Sequence, residues 1–435
     1  MLAQRITQGC DLDAEAFGER IEAAADSYDG LYALALELRE PPLRADWAYC
    51  EPTDWDAIRA ESAQLDPGRR WPRPDLPRAA ERVRSGFLGS ICGCMLGKPV
   101  EVDPTLAELK AAAAGEGWPL DDYIGEALLE RLGRRHDSWA ETTRGNIEAV
   151  VADDDLHYTL LGVLLLEAHG PGFSRDDLYR LWELNLAPGW TWGPERSALL
   201  GAGMHRHHLF PAAPLEECHD VLLLNPGYEM CGALIRADAY GYACPGNPDL
   251  AAWLAWKDAS FTHTRTGVYG AMFIAALIAQ CHSAGPLPVG NERLELVCEA
   301  LRRVPSRSRF AGVLRDCVER IATAGDWLAG YAAVHRQYRE YSHCQVYQEI
   351  GTLVNTLKFA RDVGHGIGLQ VSQGNDTDSF GATAGSVLGV LFGPGYLEDR
   401  WLTPFNGSIR LSLADFHEQS LDSVAQRVSR LPDLI

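Results

Sequence analysis

The sequence predicts a globular chain whose large core is built from closely packed, buried helices, and three observations lead there. Glycines recur every four residues in two apolar segments, as Gly89, Gly93 and Gly97 and as Gly381, Gly385, Gly389 and Gly393. Residues four apart share a helix face, and each interior glycine costs about 1 kcal/mol against alanine, so another surface must approach both faces closely. The apolar run from Phe380 to Phe392 is shorter than the roughly 20 residues that a bilayer needs, which predicts burial in protein. Finally, 46% of the 435 residues are hydrophobic and 23% are charged, enough apolar content for a large core.

Composition narrows the function. A formal net charge of -21 without a basic stripe argues against a nucleic-acid partner. The opening residues MLAQRITQGCDLDAEAF lack a continuous apolar signal segment, and no 18-residue charge-free apolar run occurs, so a cytoplasmic chain with no membrane partner is expected. Eleven irregularly spaced cysteines predict reduced, buried thiols.

In chain order, residues 11–40 read as one helix opening at Asp11 and stopped by Pro41 and Pro42. The segment from Trp47 to Pro77 mixes proline, tryptophan and charge, too irregular for one element and too aromatic for a disordered tail. Residues 1–77 are therefore expected to form an extension packed on a main domain of residues 78–435. Within RSGFLGSICGCMLGKPVE, Pro99 ends the first glycine-striped helix and delivers Glu101 just past it. A lone loop glutamate is ordinarily solvated; following a buried helix, this one is a candidate functional group.

The stretch VVADDDLHYTLLGVLLLEAHG sets Asp153, Asp154 and Asp155 at the start of an apolar helix whose Leu160, Leu161, Leu164 and Leu165 face the core. Negative charge suits a helix N-terminus, which accounts for one or two of these aspartates. Three in a row repel one another unless a cation compensates. Asp376 and Asp378 open the second glycine-striped helix, interleaved with the hydroxyls of Thr377 and Ser379. Such an oxygen set suits Mg²⁺, Mn²⁺ or Ca²⁺.

The segments GFLGSICGCMLGKPVE, DDDLHYTLLG and GNDTDSFGATAGSVLG, with CGALIRADAYGY and LAWKDASFTHTRTGVYGAMFIAALIA between them, resemble the ADP-ribosylglycohydrolase family over roughly residues 84–400. The resemblance implies an all-α orthogonal helix bundle around a binuclear metal site, two Mg²⁺ ions with Mn²⁺ as substitute. It implies hydrolysis of an N- or O-glycosidic bond at the C1″ carbon of ADP-ribose. By position, the metal ligands are Asp153, Asp154, Asp155, Asp376, Asp378 and Ser379. Asp153 stands where the family has threonine, Ser379 replaces its closing threonine, and Gly93-Cys94 replaces its Gly-Asp. Gly232, His263, Arg265 and Asn375 are the matching substrate-binding candidates.

Ribosyl cleavage passes through an oxocarbenium-like state, so it needs anionic groups, a water and a base. Glu101 and a metal-bound aspartate such as Asp155 both remain candidates for that base. The substrate is an ADP-ribosylated protein or a small ribosylated molecule, including an NAD-derived nucleotide or nucleoside acted on by an N-ribosidase. From another class, a non-catalytic ADP-ribose-binding protein would keep the fold; the full carboxylate set argues against it. The run from Met204 to His208 reads as a loop. Trp182 to Trp192 and Trp253 to Trp256 read equally as core or as stacking surfaces for a base. The oligomeric state is not legible here.

Overall fold

The glycine spacing is realised as direct backbone contact between two antiparallel helices. The computed structural model describes residues 1–63, 71–205, 220–284, 287–341 and 343–435. Among these the regular elements are α-helices and short 3₁₀ turns, with isolated β-bridges but no strand, so the chain is all-α. Helix α1 (Leu76–Gly97) starts where the Asp75 carboxylate accepts from the Arg78 amide, with Pro77 in the first turn. Its partner on the glycine face is the last long helix, Thr377–Phe392, all of whose residues are buried.

A Cβ at Gly93 would fall on the backbone of Gly381, one at Gly385 on Gly89, and one at Gly97 on Thr377. At the other end, a Cβ at Gly389 would meet the backbone of Ser85 and Gly86. Gly393, the last of the sequence stripe, serves differently: it caps the helix at φ 79°, where a residue without Cβ is favoured. The antiparallel pairing lays the C-terminal end of α1 against the N-terminal end of its partner, where the Thr377 hydroxyl donates to the Gly97 carbonyl at 2.9 Å. A 3₁₀ turn, Lys98–Val100, then ends α1 at Pro99.

Helix α2 (Asp154–His169) buries Leu160, Leu161, Leu164 and Leu165. Helix α3 (Thr266–Cys281) is buried along its whole length. Helices α4 (Tyr347–Phe359) and α5 (Val363–Ser372) lead into Thr377–Phe392, hereafter α6. Among the described residues no helix is long and apolar enough to cross a membrane.

The expected single helix over residues 11–40 is two helices, Ala14–Ala23 and Tyr28–Glu37. Asp13, not Asp11, caps the first. The Ser27 side chain accepts from the Gly30 amide and so restarts the chain as a second helix, the local competition that serine offers a helix backbone. The N-terminal residues are pinned to the rest of the chain by polar contacts. Gln8 donates to Glu229 at 2.8 Å, Trp256 donates to the Thr53 carbonyl at 2.9 Å, and Arg309 pairs with Glu51 at 2.8 Å.

Candidate active site

Three helix ends deliver charge to one place. The end of α1 brings Lys98 and Glu101, the start of α2 brings Asp153, Asp154 and Asp155, and the start of α6 brings Asp376, Asp378 and Ser379. Asp153 is the N-cap of α2, its side chain accepting from the Asp155 amide at 3.0 Å. Asp376 is the N-cap of α6 but makes no capping hydrogen bond with its side chain, which leaves the carboxylate for other partners. At the centre sits the Lys98 ammonium, 2.7 Å from Glu101 Oε2, 2.7 Å from Asp153 Oδ2 and 2.8 Å from Asp378 Oδ2.

One ammonium does not satisfy this cluster. Asp155 Oδ1 and Oδ2, Asp376 Oδ1 and Asp378 Oδ1 are buried with no hydrogen-bond partner. A buried carboxylate oxygen left alone is costly, and a hard divalent cation can satisfy it. Ligand atoms of Glu101, His343 and Asp376 lie within 4.8 Å of one another, as do those of Cys94, Asp153 and Asp155, close enough in each set to share an ion. The residues present therefore fit a metal. Thiols border the oxygen set as well: Cys231 and Cys344 contact Asp376 Oδ2 at 3.3 and 3.2 Å, and Cys94 lies beside Asp153 and Asp155.

Protons follow the same crowding. Burial, reinforced by Asp378 and opposed by Lys98, pushes Glu101 up to about 10. Burial would also raise Asp378, yet Lys98 and the hydrogen bonds from Glu101 and Lys98 hold it below the usual carboxylate range. Glu101 thus carries the proton and Asp378 the charge. Burial and the Asp378 charge raise Asp376 to about 6. For Lys98, burial lowers and Asp153, Asp378 and Glu101 raise, and the carboxylates win, so the ammonium stays charged.

The cluster opens on a cavity of about 680 Å³ lined by Lys98, Glu101, Asp153, Asp154, Asp376 and Ser379 on its acidic side. Tyr158, Trp190, Trp192, Gly232 and His343 lie on other walls. Asp155 is 1% exposed and does not line it. A larger depression of about 800 Å³, lined by Glu148, Ser408, His417 and Glu418 among others, contains none of the buried aspartates.

Of the substrate-binding candidates, Gly232 alone lines the cavity, and a Cβ there would stand 2.6 Å from Glu195 Oε1. His263 is completely buried, with Nδ1 2.7 Å from the Thr262 hydroxyl. Arg265 adopts φ 48° at the start of α3, away from the cavity lining. Asn375, at φ 61°, accepts from Gln348 at 2.9 Å and is likewise outside the lining. The tryptophans divide. Trp182 is buried beneath Arg236, whereas Trp190 and Trp192 face the cavity at 41% and 58% exposure. Trp256 packs against Trp55 of the N-terminal residues. His207 and His208 of the histidine run lie outside the described residues.

Lys98 is the site residue that sequence reasoning missed, although it sits in the quoted GKPVE segment. Its only sequence signal is its place between a buried glycine and the helix-ending proline, where a solvated lysine would be unusual. Cys231 opens the quoted CGALIRADAYGY segment, but nothing in the sequence pairs it with Cys344; the two are brought together only by the fold, where the Cys231 amide donates to the Cys344 carbonyl at 3.1 Å.

Comparison with known proteins agrees with this architecture. The family model described as ADP-ribosylglycohydrolase matches residues 75–431. No functionally curated protein matches the chain. Among solved structures, one titled "ADP-ribosylglycohydrolase-related protein complex" is similar with a TM-score of 0.52 at 20% identity, covering 82% of this chain and 99% of that one. That likeness concerns the fold. With the family model spanning most of its length, the chain belongs to the ADP-ribosylglycohydrolase family and is a glycohydrolase of that type.

Proposed function

We propose that this chain is a Mg²⁺-dependent hydrolase that cleaves the N- or O-glycosidic bond of an ADP-ribosylated substrate. The observation that carries the reading is the set of partnerless oxygens on Asp155, Asp376 and Asp378 beside a cavity that Glu101 reaches. Bound Mg²⁺ or Mn²⁺ would supply Lewis acidity and orient a water and the ribose hydroxyls. Asp153, Asp154, Asp155, Asp376, Asp378 and Ser379 are the residues to hold it. Glu101 lines the cavity and Asp155 does not, which favours Glu101 as the group that moves the proton. Anionic surroundings favour the positive charge that develops on the ribosyl ring. Exposed Trp190 and Trp192 offer faces on which a purine or pyridine ring can stack.

In this reading residues 78–435 form the catalytic unit, working in the cytoplasm. Gln8 ties the N-terminal residues to Glu229, the neighbour of the cavity-lining Met230. A small NAD-derived nucleotide or nucleoside is the alternative substrate, and the stacking surface suits it equally. The test is a turnover screen of the full chain against ADP-ribosylated proteins, ADP-ribose conjugates and nucleosides, with Mg²⁺ and with EDTA. Release of ADP-ribose or a free base that requires Mg²⁺ is expected. Tight ADP-ribose binding without turnover of any conjugate would instead identify a non-catalytic binding protein.

A further inference from the structure

The reading above leaves open how many ions the acidic cluster takes. Around it, the carboxyl groups of Glu101, Asp153, Asp154, Asp155, Asp376 and Asp378 face the ammonium of Lys98, with His136 and His343 at 3.7 and 3.9 Å from Glu101. Lys98 is not a bystander reaching in from solvent. Its residue is 7% exposed, it follows α1 directly, and the adjoining Gly97 is locked against Thr377, so the side chain emerges from a fixed backbone into the cluster.

Its partners matter most. The ammonium lies within 2.8 Å of carboxylates from all three converging elements: Glu101 after α1, Asp153 at α2 and Asp378 at α6. An ion shared among those three groups would occupy the space that the ammonium fills. Two cations at contact distance repel strongly in a poorly solvated site. The oxygens that Lys98 leaves unanswered are both of Asp155 and one each of Asp376 and Asp378.

We infer that Lys98 is a built-in cation standing in for one metal ion, so that the acidic cluster binds a single divalent ion. This rests on the metal-dependent reading above and departs from the two-ion site that the family resemblance implies. An ammonium holds and orients carboxylates but has no vacant coordination position for water, so the one divalent ion, when bound, would supply that position.

Mn²⁺ titration of the chelated full chain, followed by electron paramagnetic resonance and by metal analysis after dialysis, tests the count. Wild type is expected to retain one Mn²⁺ per chain with the spectrum of an isolated ion. Lys98→Ala, which vacates the position, is expected to retain two, a doubling, with the broadened spectrum of neighbouring ions. Should the alanine variant fail to fold, Lys98→Gln is counted instead, with the same expectation. Two ions in wild type would overturn the inference while leaving the metal-dependent reading intact. No retained ion in wild type would overturn both. A folded Lys98 variant that still holds a single ion would show that the lysine does not occupy a cation position.

Discussion

Two buried charged clusters lie close together in this molecule, and only one is closed. Around Arg236 each guanidinium nitrogen is answered: Nε donates to Asp258 at 2.5 Å, Nη1 to Glu195 at 2.5 Å and to the Gly232 carbonyl at 3.0 Å, and Nη2 to Thr262 at 2.8 Å. Tyr240 donates to the second Asp258 oxygen at 2.5 Å. One planar cation with five donors satisfies two carboxylates, a geometry that arginine is built for. Around Lys98 a single ammonium faces a larger number of carboxylates, and oxygens of Asp155, Asp376 and Asp378 are left over. The closed cluster holds the wall in place; the open one is where chemistry is expected. Incomplete satisfaction, not buried charge as such, separates a binding site from a structural ion pair.

The largest effect should come from breaking the closed cluster. Arg236→Met leaves Glu195 and Asp258 buried without a cation, which should destabilise by about 3–5 kcal/mol. Denaturant unfolding measures this, and added Mg²⁺ should not restore it. Loss of less than about 1 kcal/mol would mean that this cluster, too, is loosely held.

Within the open cluster, ligand and proton carrier should respond differently. Glu101→Gln should lower kcat by about 10²–10⁴-fold with ligand binding nearly intact, and added metal should not rescue it. Asp378→Asn replaces an anionic ligand by a neutral amide, so its lost activity should return in part at high Mg²⁺. Measuring kcat against Mg²⁺ concentration for both variants decides the assignment. Rescue of Glu101→Gln by metal would make Glu101 a ligand and move the proton carrier to the aspartates of α2.

A third variant tests the frame that holds the open cluster. Gly389→Leu should overpack against the backbone of Ser85 and Gly86 and destabilise by about 1–3 kcal/mol. Helix propensity alone predicts the opposite sign. A more stable variant would refute the close helix contact that brings Lys98 to Asp378.

The pH dependence of stability tests the proton assignment. Glu101, raised to about 10, and Asp376, raised to about 6, bind protons in the metal-free fold that the unfolded chain releases near the ordinary carboxylate range of about 4. The native state then holds more protons, so the stability of chelated protein should fall as pH rises. The Asp376 share should be lost mostly between about pH 4 and 6, and the Glu101 share should continue to decline toward pH 10. Saturating metal should flatten that slope, because it compensates the ionised carboxylates. Melting curves at several pH values, with EDTA and with Mg²⁺, measure both slopes; a chelated protein that gains stability between about pH 5 and 9 would contradict the proton assignment.

What the sequence announced and what it concealed differ for a physical reason. The stripes of α1 and α6 were legible because backbone contact excludes every Cβ, so four-residue spacing is written directly into residue type. Asp153–155 and Asp376–378 were legible because like charges crowded at a helix start need an explanation beyond capping. Lys98 was legible only faintly, from its place between Gly97 and Pro99, since its partners Asp153 and Asp378 reach it from across the fold. Cys231 and Cys344 likewise converge on Asp376 from distant segments. His263 and Arg265 matched a signature segment, yet backbone course decides orientation, and His263 lies fully buried beside Thr262. The N-terminal helix was misjudged in length because the first helix stops at Ala23 and the Ser27 hydroxyl caps a second one.

Thermal unfolding of the full chain, first with excess EDTA and then with rising Mg²⁺ or Mn²⁺, tests most directly the claim that the open cluster is a metal site. A ligand bound only by the folded state stabilises it by about 2.7 kcal/mol at a hundredfold excess over Kd, so the melting temperature should climb with metal concentration. The Asp378→Asn variant should climb less. A wild-type melting temperature unchanged between exhaustive chelation and saturating metal would contradict the account.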